Sequence, residues 1–130
     1  MAKERFNTSK VETYLYGLLN KQVSQHTFAG TLPDTILDTW NDMLLIDCGT
    51  SIRDRRAIAD GVVLLWLYAR PKGDGTKNVP VLSSMETALN QILDNAHDQY
   101  YHIERNACYS DYDSNRKWHC NIVELILKIN

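Results

Sequence analysis

Residues 55–70 read RRAIADGVVLLWLYAR and form the most apolar stretch of the chain. From Val62 to Ala69 every side chain is apolar or aromatic. The stretch is too short to cross a bilayer as a helix, which takes about 20 apolar residues. Gly61, the β-branched pair at 62–63 and the alternating Trp66 and Tyr68 favour a strand. The alternative is a buried helix, because Ala and Leu are good helix formers.

A strand at this position is apolar on both of its faces, because successive side chains point to opposite sides. One face carries Ile58, Val62, Leu64, Trp66 and Tyr68, and the other carries Ala57, Ala59, Val63, Leu65, Leu67 and Ala69. A strand of this kind needs cover on both faces. If helices cover one face, the other is covered either by a second copy of the protein or by the N-terminal connection, residues 24–41.

Length and composition indicate an ordinary globular protein. The 130 residues form a single domain, residues 1–130, long enough to bury a core. The net charge of −2 gives no basic field for nucleic acid. The polar residues 1–7 do not resemble a signal peptide. Three cysteines are too few for a disulfide framework, so we expect the chain to fold in a reducing cytosol.

Hydrophobic periodicity predicts an α+β domain with an antiparallel β-sheet and two helices packed on one face, in the order α-β-β-α-β-β. Residues 24–41 are expected to be irregular, because the residue before Pro33 avoids the helical region. Gly49, Thr50 and Ser51 are expected to form the turn before the central strand. The predicted helices are residues 9–23 and 79–96, and the predicted strands are residues 43–48, 56–70, 100–111 and 117–129.

The last two strands are expected to form a hairpin with one of two registers. Pairing residue 106 with residue 122 places Cys108 opposite Cys120 and matches apolar side chains along the hairpin. A register shifted by one pairs Arg105 with Glu124 and separates the cysteines onto opposite faces. Apolar matching outweighs one exposed ion pair, worth roughly 0–1 kcal/mol, so the first register is preferred.

No motif in the sequence predicts catalysis, a metal or a cofactor. The four histidines are scattered, no four-ligand spacing for zinc is present, and no nucleophile motif occurs. Arg53, Arg55 and Arg56 form a dense charged cluster beside the central strand. They are either a solvated strand end or a charged rim beside an interface. With the aromatic Trp66 and Tyr68, they are the candidate residues of an oligomer interface.

The order of elements resembles the tail-terminator (tail-completion) proteins of long-tailed bacteriophages and the related neck proteins. The resemblance rests on the N-terminal helix, the Leu32-Pro33 segment and the apolar stretch 55–70 followed by the Gly-rich loop 71–77. It is completed by the helix 78–96 and the hairpin 100–129. It covers nearly the whole chain but includes no diagnostic motif.

The resemblance implies a non-enzymatic structural protein of a phage or prophage particle. Such a protein forms an oligomeric ring, commonly a hexamer, that terminates the tail tube and joins it to the head connector. It implies self-association and contacts with tail-tube and head–tail connector proteins, assembly in the host bacterial cytoplasm and residence in the virion. No cofactor, membrane contact or sequence-specific nucleic-acid binding is expected. The alternatives are a head-completion or other neck protein, or a small dimeric α+β enzyme or ligand-binding protein.

Overall fold

The computed structural model describes the backbone of residues 8–55, 58–96 and 98–129, and the side chains of residues 9–48, 61–96 and 98–128. It is an α+β structure with two helices and a mixed five-stranded sheet whose strand order is β1-β2-β3-β5-β4. The elements in chain order are α1 (Thr8–Leu19), β1 (Thr27–Ala29), β2 (Asp42–Arg55), β3 (Ile58–Ala69), α2 (Val79–Asn95), β4 (Tyr101–Asp113) and β5 (Trp118–Ile129).

Both helices pack on one face of the sheet, which we name the first face. Helix α1 presents Val11, Leu15 and Leu19, whose i, i+4, i+8 spacing forms one apolar stripe, and all three are fully buried. Helix α2 adds Leu82, Met85, Leu89 and Leu93. They meet a layer of strand side chains in one hydrophobic core: Leu44, Ile46, Cys48, Val63, Leu65, Leu67, Ala69, Val123, Leu125 and Leu127.

The helices confirm the predicted positions with small differences at their ends. Helix α1 stops at Leu19 rather than at residue 23, and Lys21 adopts a positive φ of 61° just beyond it. Helix α2 follows Asn78 at its N-cap, with Pro80 in the first turn. Proline is tolerated there because the first N–H groups of a helix have no intrahelical partner.

The prediction of an antiparallel sheet is wrong at one edge. Residues 24–41 contain a three-residue strand, β1, which pairs parallel to β2 through Thr27↔Leu44 and Ala29↔Ile46. Two adjacent parallel strands require a long crossover connection between them. Residues 30–41 supply this connection, and they cross the face of the sheet opposite the helices.

Strand β2 continues through the predicted turn at residues 49–51. Its pairing with β3 shifts register between Asp47 and Ser51, so a bulge or similar irregularity takes up the extra residues. The pairing then resumes as far as Arg55↔Ile58. The predicted strand at 43–48 is therefore only the first part of β2, and residues 56–57 of the predicted strand 56–70 lie outside the described residues.

Neither predicted register of the last hairpin is observed. Ile103 pairs with Leu127, and a register shift between Arg105 and Ala107 then places Cys108 opposite Val123. The four-residue turn begins at Asp113, whose carboxylate accepts hydrogen bonds from the backbone N–H groups of residues 115 and 116. Turn geometry and the irregularity at Asn106 therefore decide the register, and Cys108 and Cys120 lie on opposite faces.

The first core predicts a large effect for a truncation at its centre. Leu65 is fully buried between the helices and the sheet. Leu65→Ala should lower the free energy of unfolding by about 2–5 kcal/mol, because it removes apolar contacts and leaves a cavity. Leu37→Ala is the control, because Leu37 is 52% exposed, and it should change stability by less than about 0.5 kcal/mol. Equal effects of the two substitutions in urea unfolding would contradict this core.

Candidate interaction surface

The face of the sheet opposite the helices, which we name the second face, is covered over only part of its length. Residues 31–41, here called the strap, cross it between β1 and β2. The strap contributes Leu32, Ile36 and Trp40 to a second hydrophobic cluster. The buried strand residues of this cluster are Met43, Tyr68, Trp118, Cys120 and Ile122. One end of the second face is thus ordinary protein interior.

Arg70 holds the strap against the sheet. Its Nε donates to the carbonyl of Trp40 at 2.8 Å and its Nη2 to the carbonyl of Leu37 at 3.0 Å. Its backbone N–H donates to the carbonyl of Asn41, and its guanidinium lies 4.7 Å from the ring centroid of Trp118. One side chain thereby satisfies strap carbonyls and stacks on a buried aromatic ring, a combination that suits the planar guanidinium of arginine.

Contacts at the end of the strap that leads into β2 also fix its path. The Trp40 ring stacks on His26, with centroids 4.3 Å apart, and lies against Phe28 of β1. The hydroxyl of Ser24 donates a short hydrogen bond to Asp42 at the start of β2. These contacts tie the end of the strap to residues 24–28 and complete the crossover that the parallel strands require.

Beyond the strap no other described element covers the second face. The second cluster reaches as far as Leu64, which is half-buried. The next cross-strand pair is Val62 and Ile126, both half-buried. Glu124 pairs with Leu64, and Lys128 pairs with Asp60. We name the rows of Leu64 and Val62, with their described partners on β2 and β5 and with Lys128, the open part of the second face.

The two candidate aromatic residues have different surroundings. Tyr68 is 3% exposed and belongs to the second cluster beneath the strap. Burial raises its pKa, and Asp113 adds to the effect. Trp66 is half-buried at the border of the open part. Its ring stacks on that of Tyr68, with the ring centroids 6.3 Å apart. The Nε1–H of Trp66 is buried, and none of the described residues offers it a hydrogen-bond acceptor. Tyr68 therefore has almost no surface for a partner, whereas Trp66 retains some.

Two of the three candidate arginines, Arg53 and Arg55, lie near the far end of the β2–β3 hairpin. The backbone of Arg53 pairs with Asp60, and that of Arg55 pairs with Ile58. Their side chains, and the whole of Arg56, lie outside the described residues. The hairpin continues past Asp60, the last β3 residue that is paired with β5. Arg53 thus lies in the last row that is paired with β5, and Arg55 lies in the two-stranded end beyond it.

The two edge strands of the sheet are β1 and β4, and in the described parts of the chain no further strand pairs with their outer sides. One edge is β1, which pairs only with residues 44–46 of β2. The other edge is β4, which is exposed over most of its 13 residues. Tyr109 and Tyr112 of β4 are 48% and 46% exposed. Edge strands of this kind are potential sites for pairing with another chain.

A hydrogen-bonded chain of polar side chains lies between α2 and the last hairpin. Lys77 Nζ donates to Ser110 Oγ at 2.7 Å, and Ser110 Oγ donates to Asn121 Oδ1 at 3.0 Å. Asn121 Nδ2 donates to Glu86 at 2.8 Å, and the Cys108 thiol contacts the same carboxylate at 3.5 Å. The proton of Ser110 is directed to an amide oxygen rather than to a base. The chain of bonds therefore links structural elements and does not activate the hydroxyl as a nucleophile.

The environments of the three cysteines do not favour thiolate chemistry. Burial raises the pKa of Cys48 to about 12 and that of Cys120 to about 11. Cys108 is exposed beside a groove of about 320 Å³, and partial burial and the Glu86 carboxylate raise its pKa. Within the described residues no group of three His, Cys, Asp or Glu side chains could hold a metal ion. The described helices include none long and apolar enough to cross a membrane.

No protein-family model matches the sequence, and a comparison with curated proteins found no match.

The anchoring role of Arg70 predicts a large effect of its removal. Arg70→Ala should lower the free energy of unfolding by about 2–4 kcal/mol, because two charge-assisted hydrogen bonds and a cation–π contact are lost. Arg70→Lys should recover only part of this loss, because an ammonium group lacks the planar fork. Urea unfolding measures both variants. An Arg70→Ala protein within about 0.5 kcal/mol of the wild type would show that the strap does not depend on this residue.

The buried thiols predict that stability declines at high pH. The pKa values of Cys48 and Cys120 rise from 9.0 to about 12 and about 11 on folding. The folded protein therefore holds these protons more tightly than the unfolded chain does. This contribution is complete below pH 9 and is lost as the pH rises towards the folded pKa values. Urea unfolding across this range should show the decline.

The control is the double variant Cys48→Ala, Cys120→Ala, whose stability should depend less steeply on pH in the same range. An identical pH dependence in the variant and the wild type would contradict the role of the thiols.

Proposed function

We propose that this protein is a non-enzymatic structural subunit of a phage or prophage particle, and that its copies form a ring, with six as the expected number. The ring would terminate the tail tube and join it to the head connector. The resemblance in element order motivates this proposal, and the α+β architecture with two helices is compatible with it. The subunit would assemble in the host bacterial cytoplasm and remain in the virion.

The observation that carries the proposal is the pair of open sheet edges. A closed ring needs two different surfaces on each subunit, one for each neighbour. β1 and β4 lie at opposite edges of the sheet and run in opposite directions, because three antiparallel pairings separate β4 from β2 and β1 is parallel to β2. Placed side by side in the same orientation, two subunits would bring β4 of one beside β1 of the next in antiparallel fashion. Antiparallel pairing can form directly between two chains.

The candidate interface residues keep distinct proposed roles. Trp66 borders the open part of the second face and is proposed to contact a neighbouring subunit or a tail or neck partner. Tyr68 would act only indirectly, through the packing beneath the strap. Arg53, Arg55 and Arg56 would form a charged rim, which should make assembly sensitive to salt because exposed charges are screened within about 8–10 Å.

The runner-up within the same class is a head-completion or other neck protein, which would share the fold and differ in its docking partner. A small dimeric enzyme or ligand-binding protein is the alternative from another class. The groove beside Cys108 is the surface it would use, yet the polar groups there bond to one another. For this reason the structural proposal is preferred.

The test is the mass of the protein in solution across a range of concentrations, with variants at the β4 edge. Wild-type protein should form a closed assembly of more than two copies, visible as a ring by electron microscopy. Tyr109→Lys with Tyr112→Lys should abolish it, because added charge on an edge strand discourages pairing. Val79→Lys is the control, because Val79 is 56% exposed at the start of α2.

All proteins should unfold at similar temperatures, since the substituted side chains are exposed. A wild-type protein that never exceeds two copies would contradict the ring. An assembly that tolerates both tyrosine substitutions would contradict the role of the β4 edge.

A further inference from the structure

We propose that the open part of the second face binds the same surface of a second copy about a two-fold axis. This contact uses a face of the sheet, whereas the proposed ring uses its edges, so neither proposal depends on the other. The order of apolar and charged residues along the open part supports this contact.

The open part has an apolar row at its centre. Val62 of β3 and Ile126 of β5 are directly paired and half-buried. The strap residues Leu32, Ile36 and Trp40 belong to the cluster that ends at Leu64, one row below. Both helices lie on the opposite face. Among the described residues, the two helices and the strap therefore already pack on other parts of the sheet.

The rows on either side of this centre carry opposite charge. On the strap side, Leu64 lies between Asp47 of β2 and Glu124 of β5, two negative charges. On the hairpin side, Lys128 of β5 carries a positive charge and pairs with the backbone of Asp60. Along β5 the pattern is Glu124, Ile126, Lys128, with the charges equally spaced from the isoleucine.

Consider a two-fold axis that lies over the central row, parallel to the sheet and perpendicular to the strands. This axis makes the charges of the two copies complementary. The axis places Val62 and Ile126 opposite their own copies and reverses the strand direction. Glu124 of each copy then lies opposite Lys128 of the other. Two sheets packed in this aligned manner lie about 10 Å apart, within reach of these long side chains.

Existing intrachain contacts fit the same arrangement. Lys128 Nζ lies 3.3 Å from Glu104, which also contacts His102 at 3.4 Å. Glu104 occupies the central row on β4, so the axis places it opposite Glu104 of the other copy, and Lys128 beside it offsets their repulsion. Lys128 would therefore lie between Glu104 of its own chain and Glu124 of the other copy. Glu124 already accepts a hydrogen bond from Asn106 at 2.8 Å, which holds it on this surface.

The two-fold arrangement also covers the end of the β2–β3 hairpin. Residues 54–55 and 58–59 extend the hairpin past the last row that is paired with β5. A two-stranded ribbon is only marginally stable by itself. The axis places the pair 55 and 58 of one copy opposite the row of Trp66 in the other. The backbone of the hairpin end thereby lies over the row of Trp66 in the other copy.

Charge reversal tests this symmetry by sedimentation of dilute and concentrated protein at low salt. Either Glu124→Lys or Lys128→Glu should weaken dimerisation roughly tenfold, because two symmetric attractions become repulsions. The double variant Glu124→Lys, Lys128→Glu should restore it, since each new lysine again faces a glutamate. Asp94→Lys is the control for a charge change on the helix side, and it should leave dimerisation unchanged.

Ile126→Ser supplies a second test that involves no change of charge, and it should weaken the dimer while the monomer unfolds cooperatively. Thermal unfolding of each dilute variant separates lost association from lost folding. A wild-type protein that remains monomeric to about 1 mM would overturn the proposal. Single reversals without effect, or a double variant as weak as the single ones, would also overturn it. Dimers that persist in the β4 variants after the rings have disappeared would support this contact, because the edge substitutions leave the open part of the second face intact.

Discussion

The parallel pairing of β1 with β2 is the constraint on which the arrangement of this protein depends. Two neighbouring parallel strands cannot be joined by a tight turn, so the chain between them has to cross a face of the sheet. The helices occupy the first face, and the crossover therefore runs over the second. Its length, residues 30–41, is enough to cover one end of that face and no more. The division of the second face into a covered and an open part results directly from this one pairing.

Arg70 and the aromatic contacts convert the crossover into a fixed cover. Without the hydrogen bonds to Leu37 and Trp40, the strap carbonyls would lose their charged donor. Beneath the strap, Tyr68 and Cys120 are interior residues, and the raised pKa of each reflects that burial. Past Leu64 the same strands carry half-buried apolar residues flanked by charge. A single strand, β3, thus passes from protein core to a surface suited to association.

The sequence predicted the parts of this fold that repeat a strong period. Both helices and the apolar central strand were expected, because their side chains recur at 3.6 or 2 residues along a buried face. Strand β1 was missed, since three residues carry no readable period and its pairing is parallel. The register of the last hairpin was also missed, because the irregularity at Asn106 and the turn at Asp113 decide it locally. For the candidate surface, the apolar second face was visible in the sequence. Its division by the strap was not, because that division depends on a tertiary path.

The strap closes one part of the second face permanently, whereas we propose that only association closes the other part. Thiol modification of a Cys108→Ser, Ile126→Cys protein tests this difference most directly, because the native Cys120 lies under the strap. We predict that Cys120 is protected at every protein concentration. The thiol at position 126 should react rapidly in dilute protein and slowly in concentrated protein. Equal reactivity at position 126 across all concentrations, or ready modification of Cys120 in the folded protein, would contradict this division of the second face.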